Sequence, residues 1–240
     1  RRAMGFKRSE KRMQEIEVKL RRGMEKNGIG PEAQDAIVKS ITSFALYGFP
    51  ESHAASFALL AYASAYIKCH YLAAFTAAML NNQPMGFYHP ATLIKDAQRH
   101  GLRFKPVDVV RSGSVCTVEQ ESGRKCVRLG LNYVKGLRAE MAAAIVEERE
   151  RALFCGIEDL AARVPLRKAE LAALAELGAL NSLGESGAAH RRATLWDSAL
   201  AMRPAGALYA KDRNGTPSPL APMTFPERLL ADFRNTGLTI

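Results

Sequence analysis

Residues 47–80 read YGFPESHAASFALLAYASAYIKCHYLAAFTAAML, and this run predicts the most apolar helix of the chain. Gly48 and Pro50 interrupt regular structure before it, so the helix should begin near Ser52 and continue to about Leu80. A helix without a clean polar face is usually buried on most sides. Its uncharged stretch is too short to cross a bilayer core of ~30 Å. We therefore predict a buried helix and no membrane span.

A hydroxyl and an imidazole stand at the start of this predicted helix, as Ser52 and His53. Free N–H groups and the positive end of the helix dipole favour a phosphate there. Ser52 and His53 are therefore a candidate phosphate site. The alternative, which the pattern alone favours, is that Ser52 only caps the helix and His53 is a half-buried structural residue.

Helical periodicity recurs on both sides of this run, which predicts a mostly α fold. The exception is residues 107–130, where β-branched residues around Ser122-Gly123 predict a small β-hairpin. We predict a first domain over residues 1–106 and a second over residues 107–202. Residues 203–240 contain repeated proline and glycine and are predicted to be a linker.

The charge indicates an anionic partner, with nucleic acid ahead of membrane. The chain has 34 Lys and Arg against 24 Asp and Glu, a net charge of +10. More than half of this excess lies in residues 1–26. There Arg1, Arg2, Lys7 and Arg8 precede a predicted helix start, where the dipole disfavours cations. This placement favours a phosphate counterpart, whereas the alternative is a solvated charged surface.

The sequence contains no residue pattern typical of a metal site or of a polymerase catalytic centre. The four cysteines form no CxxC pair and fit no zinc template, so we expect reduced thiols in a cytoplasmic protein. The seven aspartates are scattered, without the clustered carboxylates that hold two Mg²⁺ ions in a polymerase. We therefore predict neither a catalytic residue nor a metal ligand in this chain.

Residues 129–140, LGLNYVKGLRAE, predict a helix-hairpin-helix motif. In this motif a glycine-containing hairpin directs backbone N–H groups at a DNA phosphate without reading sequence. Lys135 and Gly136 stand at the hairpin, and Arg138 replaces the usual second glycine. Residues 166–184 resemble a second copy, with Gly178 at the turn. The alternative is an ordinary αα-hairpin, which often contains a glycine.

The run over residues 47–81, with RRAMGFKRSE at residues 1–10 and LIKDAQRHGLRFKPVDVVRS at residues 93–112, resembles the C-family bacterial DNA polymerases. These are the DnaE-like polymerase III alpha subunits. Pro50-Glu51, where replicative members usually carry Asn-Lys, and QPMGFYHP at residues 83–90 look like the error-prone ImuC branch. The resemblance implies that residues 1–106 are the later part of the polymerase fingers. Residues 107–202 would then be a tandem helix-hairpin-helix region.

The same resemblance implies roles for the candidate residues. Arg1, Arg2, Ser52 and His53 would bind the incoming nucleotide, while Lys7 and Arg8, with the hairpin residues, would bind DNA. It also implies Mg²⁺ bound by the palm of the full-length enzyme and the partners ImuB and ImuA, with the sliding clamp as a further candidate partner.

We expect the chain to be a catalytically inactive part of a longer protein that copies damaged template, because it begins with Arg and lacks the palm carboxylates. The alternatives are a replicative alpha subunit and a stand-alone helical DNA-binding module.

Overall fold

A computed structural model describes residues 10–47, 51–86, 88–183, 190–202 and 218–239, without the side chains of residues 10–13, 42–47 and 51–52. The fold is mostly α, as predicted, with a small three-stranded sheet. The helices are α1 (Glu10–Lys26), α2 (Pro31–Tyr47), α3 (Glu51–His70), α4 (Leu72–Asn81), α5 (Pro90–Arg99), α6 (Ala139–Arg151), α7 (Ile157–Arg163), α8 (Lys168–Glu176), α9 (Arg191–Ala201) and α10 (Phe225–Thr236). The strands are β1 (Arg103–Lys105), β2 (Thr117–Glu121) and β3 (Arg124–Arg128).

The chain divides into two compact units, Arg1–Tyr66 and Ile67–Ile240. In the first unit α1 and α2 pack together, and Met24 of α1 and Val38 of α2 are buried. Arg21 of α1 reaches Asp35 of α2 with 2.6 Å between Nη1 and Oδ1. Gly28 joins the helices with a φ of 72°, a conformation that favours glycine because it has no Cβ.

The prediction of a buried helix over residues 52–80 is wrong in two respects. The helix is interrupted at Tyr71, whose φ and ψ are −134° and 45°, so that α3 and α4 are separate elements. The apolar side chains of α3 are also exposed, with Phe57 57% and Tyr62 72% accessible. An apolar composition makes burial of a helix favourable, but the surface that would cover it has to be supplied by other elements. The described residues of the first unit leave Phe57 and Tyr62 exposed.

The second unit contains a single large hydrophobic cluster. Helix α4 contributes Ala73, Ala77 and Leu80 to it, and α5 contributes Ile94. The strand β3 adds Val127, and residues from α6, α7 and α8 complete it, among them Ile145, Leu160, Leu171 and Leu174. This cluster packs the sheet and the short helices that follow it into one body.

The predicted β-hairpin is confirmed. Strands β2 and β3 are antiparallel, with Val118 opposite Val127, and Ser122 and Gly123 form the turn with φ values of 50° and 78°. Two successive residues with positive φ are typical of the hairpin turn that matches the twist of the strands. Strand β1, which was not predicted, pairs in parallel with β3 and gives the strand order β1-β3-β2.

Candidate nucleic-acid interface

The first predicted hairpin lies between a 3-10 turn, Leu131–Tyr133, and the start of α6. The motif therefore begins with a single helical turn, which buried Leu131 and Val134 attach to the core. Gly136 stands at the tip with a φ of 82°, and no atom lies within 4 Å of the position of a Cβ. The hairpin thus presents a bare, outward backbone, the geometry that a close phosphate contact requires.

The first turn of α6 has unpaired N–H groups. Arg138 occupies the N-cap position, and its side chain makes no cap hydrogen bond. The N–H groups of Met141 and Ala142 donate to the Arg138 carbonyl oxygen, whereas those of Ala139 and Glu140 find no acceptor in the described part of the chain. Free N–H groups at the positive end of a helix dipole favour an anion.

A second hairpin, residues 164–167, connects α7 to α8. Val164 and Leu166 are buried, and the Leu166 N–H donates to the Val164 carbonyl oxygen over 2.7 Å. The helix pair of the second copy is therefore α7 and α8. Its hairpin precedes α8, while the predicted stretch of residues 166–184 begins inside that hairpin.

Gly178 lies at a turn, as the pattern predicts, but this turn ends α8. Its φ is 75°, and its N–H donates to the Ala175 carbonyl oxygen over 2.9 Å. A Cβ there would lie 3.0 Å from Arg191 Nε and 3.0 Å from Asn181 Nδ2. Gly178 is therefore packed against its neighbours, in contrast to the open tip at Gly136. A DNA contact at Gly178 stays a prediction.

The two hairpins are joined by an ion pair between Arg138 and Glu170 of α8. Arg138 Nε lies 2.8 Å from Glu170 Oε1, and Arg138 Nη2 lies 3.0 Å from Oε2. Arg138 also donates to the carbonyl oxygen of Pro165 and to Glu140. The guanidinium is thus committed to protein acceptors, and a DNA contact by Arg138 stays a prediction.

Glu170 is 2% exposed and is the buried centre of this arrangement. Its Oε1 accepts the Arg138 backbone N–H over 3.1 Å, and its Oε2 accepts the Arg167 backbone N–H over 2.7 Å. The Arg138 guanidinium and these two N–H groups hold the pKa of Glu170 at about 2, against the opposing effect of burial. Glu170 is not among the residues predicted from sequence, although a Glu three residues after an N-cap is a recognised capping signal.

Lys135 lies beside α10. Its backbone N–H donates to the Asn235 carbonyl oxygen over 2.7 Å, and its Nζ lies 3.5 Å from the Phe233 carbonyl oxygen. The ammonium also stands 5.9 Å from the centre of the Phe233 ring. The side chain is exposed, and in the described residues its ammonium lies beside a carbonyl oxygen and not a carboxylate. Its positive charge is therefore available next to the hairpin tip.

The candidates for nucleotide binding, and the DNA-binding candidates Lys7 and Arg8, all belong to the first unit. His53 is exposed in the first turn of α3, with its ring centre 4.5 Å from that of Phe57. Ser52 lies in the same turn, and its side chain is outside the described residues. Arg1, Arg2, Lys7 and Arg8 are also outside the described residues. Their assignments stay predictions.

The described residues contain no group of three His, Cys, Asp or Glu side chains that could hold a metal ion. Within the same ranges, every helix is too short or too polar to cross a membrane. The four cysteines are free thiols, and burial raises the pKa of Cys116 to about 11.

Two hairpins leading into helices, joined through a buried ion pair, define a helix-hairpin-helix domain. The helix-hairpin-helix motif family matches residues 101–193, which include both hairpins and the sheet. The class of this domain is therefore established by its sequence as well as by its geometry.

Curated relatives extend this result to most of the chain. The chain is 46% identical over 208 residues to an error-prone DNA polymerase of Bordetella parapertussis; the aligned region covers 85% of the chain and 19% of that protein. It is 41% identical over 224 residues to the error-prone DNA polymerase of Pseudomonas fluorescens, covering 92% of the chain and 22% of that protein. The corresponding protein of Azoarcus sp. is 42% identical over 246 residues, 100% of the chain and 23% of that protein.

The chain is thus homologous over most of its length to proteins named error-prone DNA polymerase, and it spans about a fifth of the length of the curated relatives it matches.

Proposed function

We propose that the chain is the DNA-binding segment of an error-prone DNA polymerase, which performs template-directed nucleotidyl transfer across damaged template. The observation that carries the proposal is the open hairpin at Gly136, followed by the free N–H groups of Ala139 and Glu140. Relatives named error-prone DNA polymerase support this branch over the replicative alpha subunits.

The binding mode that this geometry favours is sequence-independent. A bare backbone and free N–H groups can approach a phosphate oxygen, but they carry no information about the base. Lys135 adds a positive charge next to the hairpin, since its ammonium is exposed. Arg138 contributes differently, because its guanidinium is already bound to Glu170 and Glu140. The hairpin therefore holds the backbone of a duplex while other residues select the nucleotide.

Nucleotide binding is proposed for Ser52 and His53, together with Arg1 and Arg2. Support comes from the position of His53, exposed in the first turn of a helix of 20 residues. A helix N-terminus of this kind favours a triphosphate. Lys7 and Arg8 are proposed to meet the template-primer.

The chemistry of nucleotidyl transfer is assigned to other parts of the longer protein. The described residues contain no carboxylate cluster that fits Mg²⁺, so none of them is proposed to take part in the chemical step. ImuB, ImuA and the sliding clamp are proposed as partners of the longer protein in DNA repair.

DNA binding is tested with two matched lysine variants, Lys135→Met and Lys125→Met. Both lower the net charge by one, but Lys125 lies on β3, away from the hairpin tip in sequence. We expect Lys135→Met to weaken binding of a fluorescent duplex and to lower the salt slope by about 0.9, the value for one phosphate contact. Lys125→Met should leave the slope unchanged. Equal slopes in both variants would contradict a phosphate contact by Lys135.

The second test is primer extension by the 240-residue chain with Mg²⁺ and all four nucleotides. We expect no extension, because the described carboxylates do not cluster. Extension that remains proportional to the amount of highly purified chain would overturn the assignment of catalysis to other parts of the protein.

A further inference from the structure

We propose that Glu170 is a positioning residue of the DNA-binding surface, which keeps the two hairpins in one fixed arrangement. The proposal rests on the proposed DNA-binding function. Glu170 itself touches no ligand, since it is 2% exposed. It acts through the two residues that precede α6 and α8, Arg138 and Arg167, which are the N-cap residues of those helices.

The geometry of the carboxylate carries the argument. Each of its oxygens accepts one backbone N–H and one guanidinium N–H. The backbone donors come from different hairpins, Arg138 at 3.1 Å and Arg167 at 2.7 Å. One buried group therefore fixes the start of α6 relative to the start of α8. A surface that must meet phosphates at set spacings depends on such fixed supports.

An ionised carboxylate is needed for this role, because only that form can accept all four of these hydrogen bonds without turning an O–H group toward a donor. A glutamine in its place would turn an NH₂ group toward one set of donors and lose the corresponding bonds. Each hairpin would then keep its own turn, but the two would no longer be connected through hydrogen bonds to the same carboxylate. Arg138 matters to DNA binding in this scheme because it holds Glu170 in place.

The test compares Glu170→Gln with Glu119→Gln in the 240-residue chain. Glu119 forms a similar two-oxygen pair with Arg128 in the sheet, and Arg128 also donates to the Pro106 carbonyl oxygen. Both variants raise the net charge by one, which by itself would tighten binding to DNA. We expect Glu170→Gln to weaken duplex binding about tenfold despite this, a loss of about 1.4 kcal/mol. Glu119→Gln should bind as tightly as the wild type or more tightly.

Melting temperatures and amide hydrogen exchange separate positioning from loss of fold. In the wild-type chain, DNA should slow the exchange of the Ala139 and Glu140 amides, and Glu170→Gln should abolish this protection while remaining folded. If Glu170→Gln does not fold, Arg138→Lys replaces it in the test. This variant keeps the positive charge and the backbone hydrogen bonds to Glu170 but loses the bidentate guanidinium contact with the carboxylate. It should weaken DNA binding several-fold. Wild-type affinity in the folded Glu170 variant, or in Arg138→Lys where that variant is needed, would overturn the positioning role. Equal losses in the Glu119 and Glu170 variants would also overturn it.

Absence of DNA binding by the wild-type chain would instead overturn the proposed function, and the positioning role with it. The two failures are thus distinguished by whether the wild-type chain binds.

Discussion

Gly130 connects β3 to the first hairpin at a point where two backbone segments touch. A Cβ at this position would lie 2.3 Å from the Val115 carbonyl carbon and 2.5 Å from both Val115 Cα and Asn132 Oδ1. The φ and ψ of Gly130 are −78° and 160°, values that alanine adopts readily. The need for glycine is therefore one of space, and Gly130→Ala should separate the two segments by about 1 Å to reach ordinary contact distances.

The cost of this separation follows from what holds the segments together. The Leu131 N–H donates to the Gly113 carbonyl oxygen, and the Asn132 N–H donates to that of Ser114, both over 3.0 Å. Overpacking costs about 1–3 kcal/mol, and loss of the two hydrogen bonds adds roughly 1 kcal/mol each. We expect Gly130→Ala to lower the free energy of unfolding by roughly 3–5 kcal/mol.

Urea unfolding followed by circular dichroism measures this effect, with Gly156→Ala as the matched control. No atom lies within 4 Å of a Cβ at Gly156, and its φ of 172° is extended backbone. The control should therefore stay within about 1 kcal/mol of the wild type. If Gly130→Ala unfolds at the same urea concentration as the control, the close approach of Gly130 and Val115 is not present in solution.

Three further perturbations test other parts of the structure. The pKa of Glu170 is about 2 in the folded chain, against an ordinary value of 4.5. The ionised carboxylate therefore stabilises the fold fully at a pH above 4.5, and this stabilisation is lost as the pH falls toward 2. The wild type should therefore lose roughly 3 kcal/mol more than Glu170→Gln between about pH 5 and pH 2 in urea titrations, and parallel losses would contradict this. Leu174→Ala should cost about 2–5 kcal/mol, since Leu174 is fully buried, whereas Leu153→Ala at an exposed position should change the urea midpoint little. His53→Ala should leave the melting temperature of the chain unchanged, because His53 is exposed. In the longer polymerase the same substitution should lower kcat/KM for nucleotide about ten- to hundredfold. A lower melting temperature with normal nucleotide kinetics would refute the nucleotide site.

Local elements were predictable where the signal lies in neighbouring residues. The Ser122-Gly123 turn and the strands on either side of it follow from turn chemistry and β-branched residues. The positive φ of Gly136 likewise follows from the need for glycine at a tight hairpin. Strand β1 was missed because three residues are too few for a period, and its pairing with β3 joins residues more than twenty positions apart.

Arg138 and Gly178 show how the candidate site changed once its contacts were known. From sequence, both stood at positions where a hairpin meets DNA. In the structure Arg138 binds Glu170, and Gly178 packs against Arg191. Glu170 has no sequence pattern that links it to Arg138, because 32 positions separate them. Only the packing of α8 against the first hairpin brings the two side chains together.

The sequence by itself determined the mostly α class, the β-hairpin, the hairpin glycine at residue 136 and the similarity to error-prone DNA polymerases. These depend on local backbone preferences and on long runs of matched residues, which the order of amino acids carries directly. Tertiary structure alone decided that α3 is exposed, that the two hairpins share Glu170, and that Lys135 rather than Arg138 retains an exposed charge. Burial and ion pairing depend on which segments, distant in sequence, come into contact. Those contacts are set by the packing of the whole core and not by neighbouring residues.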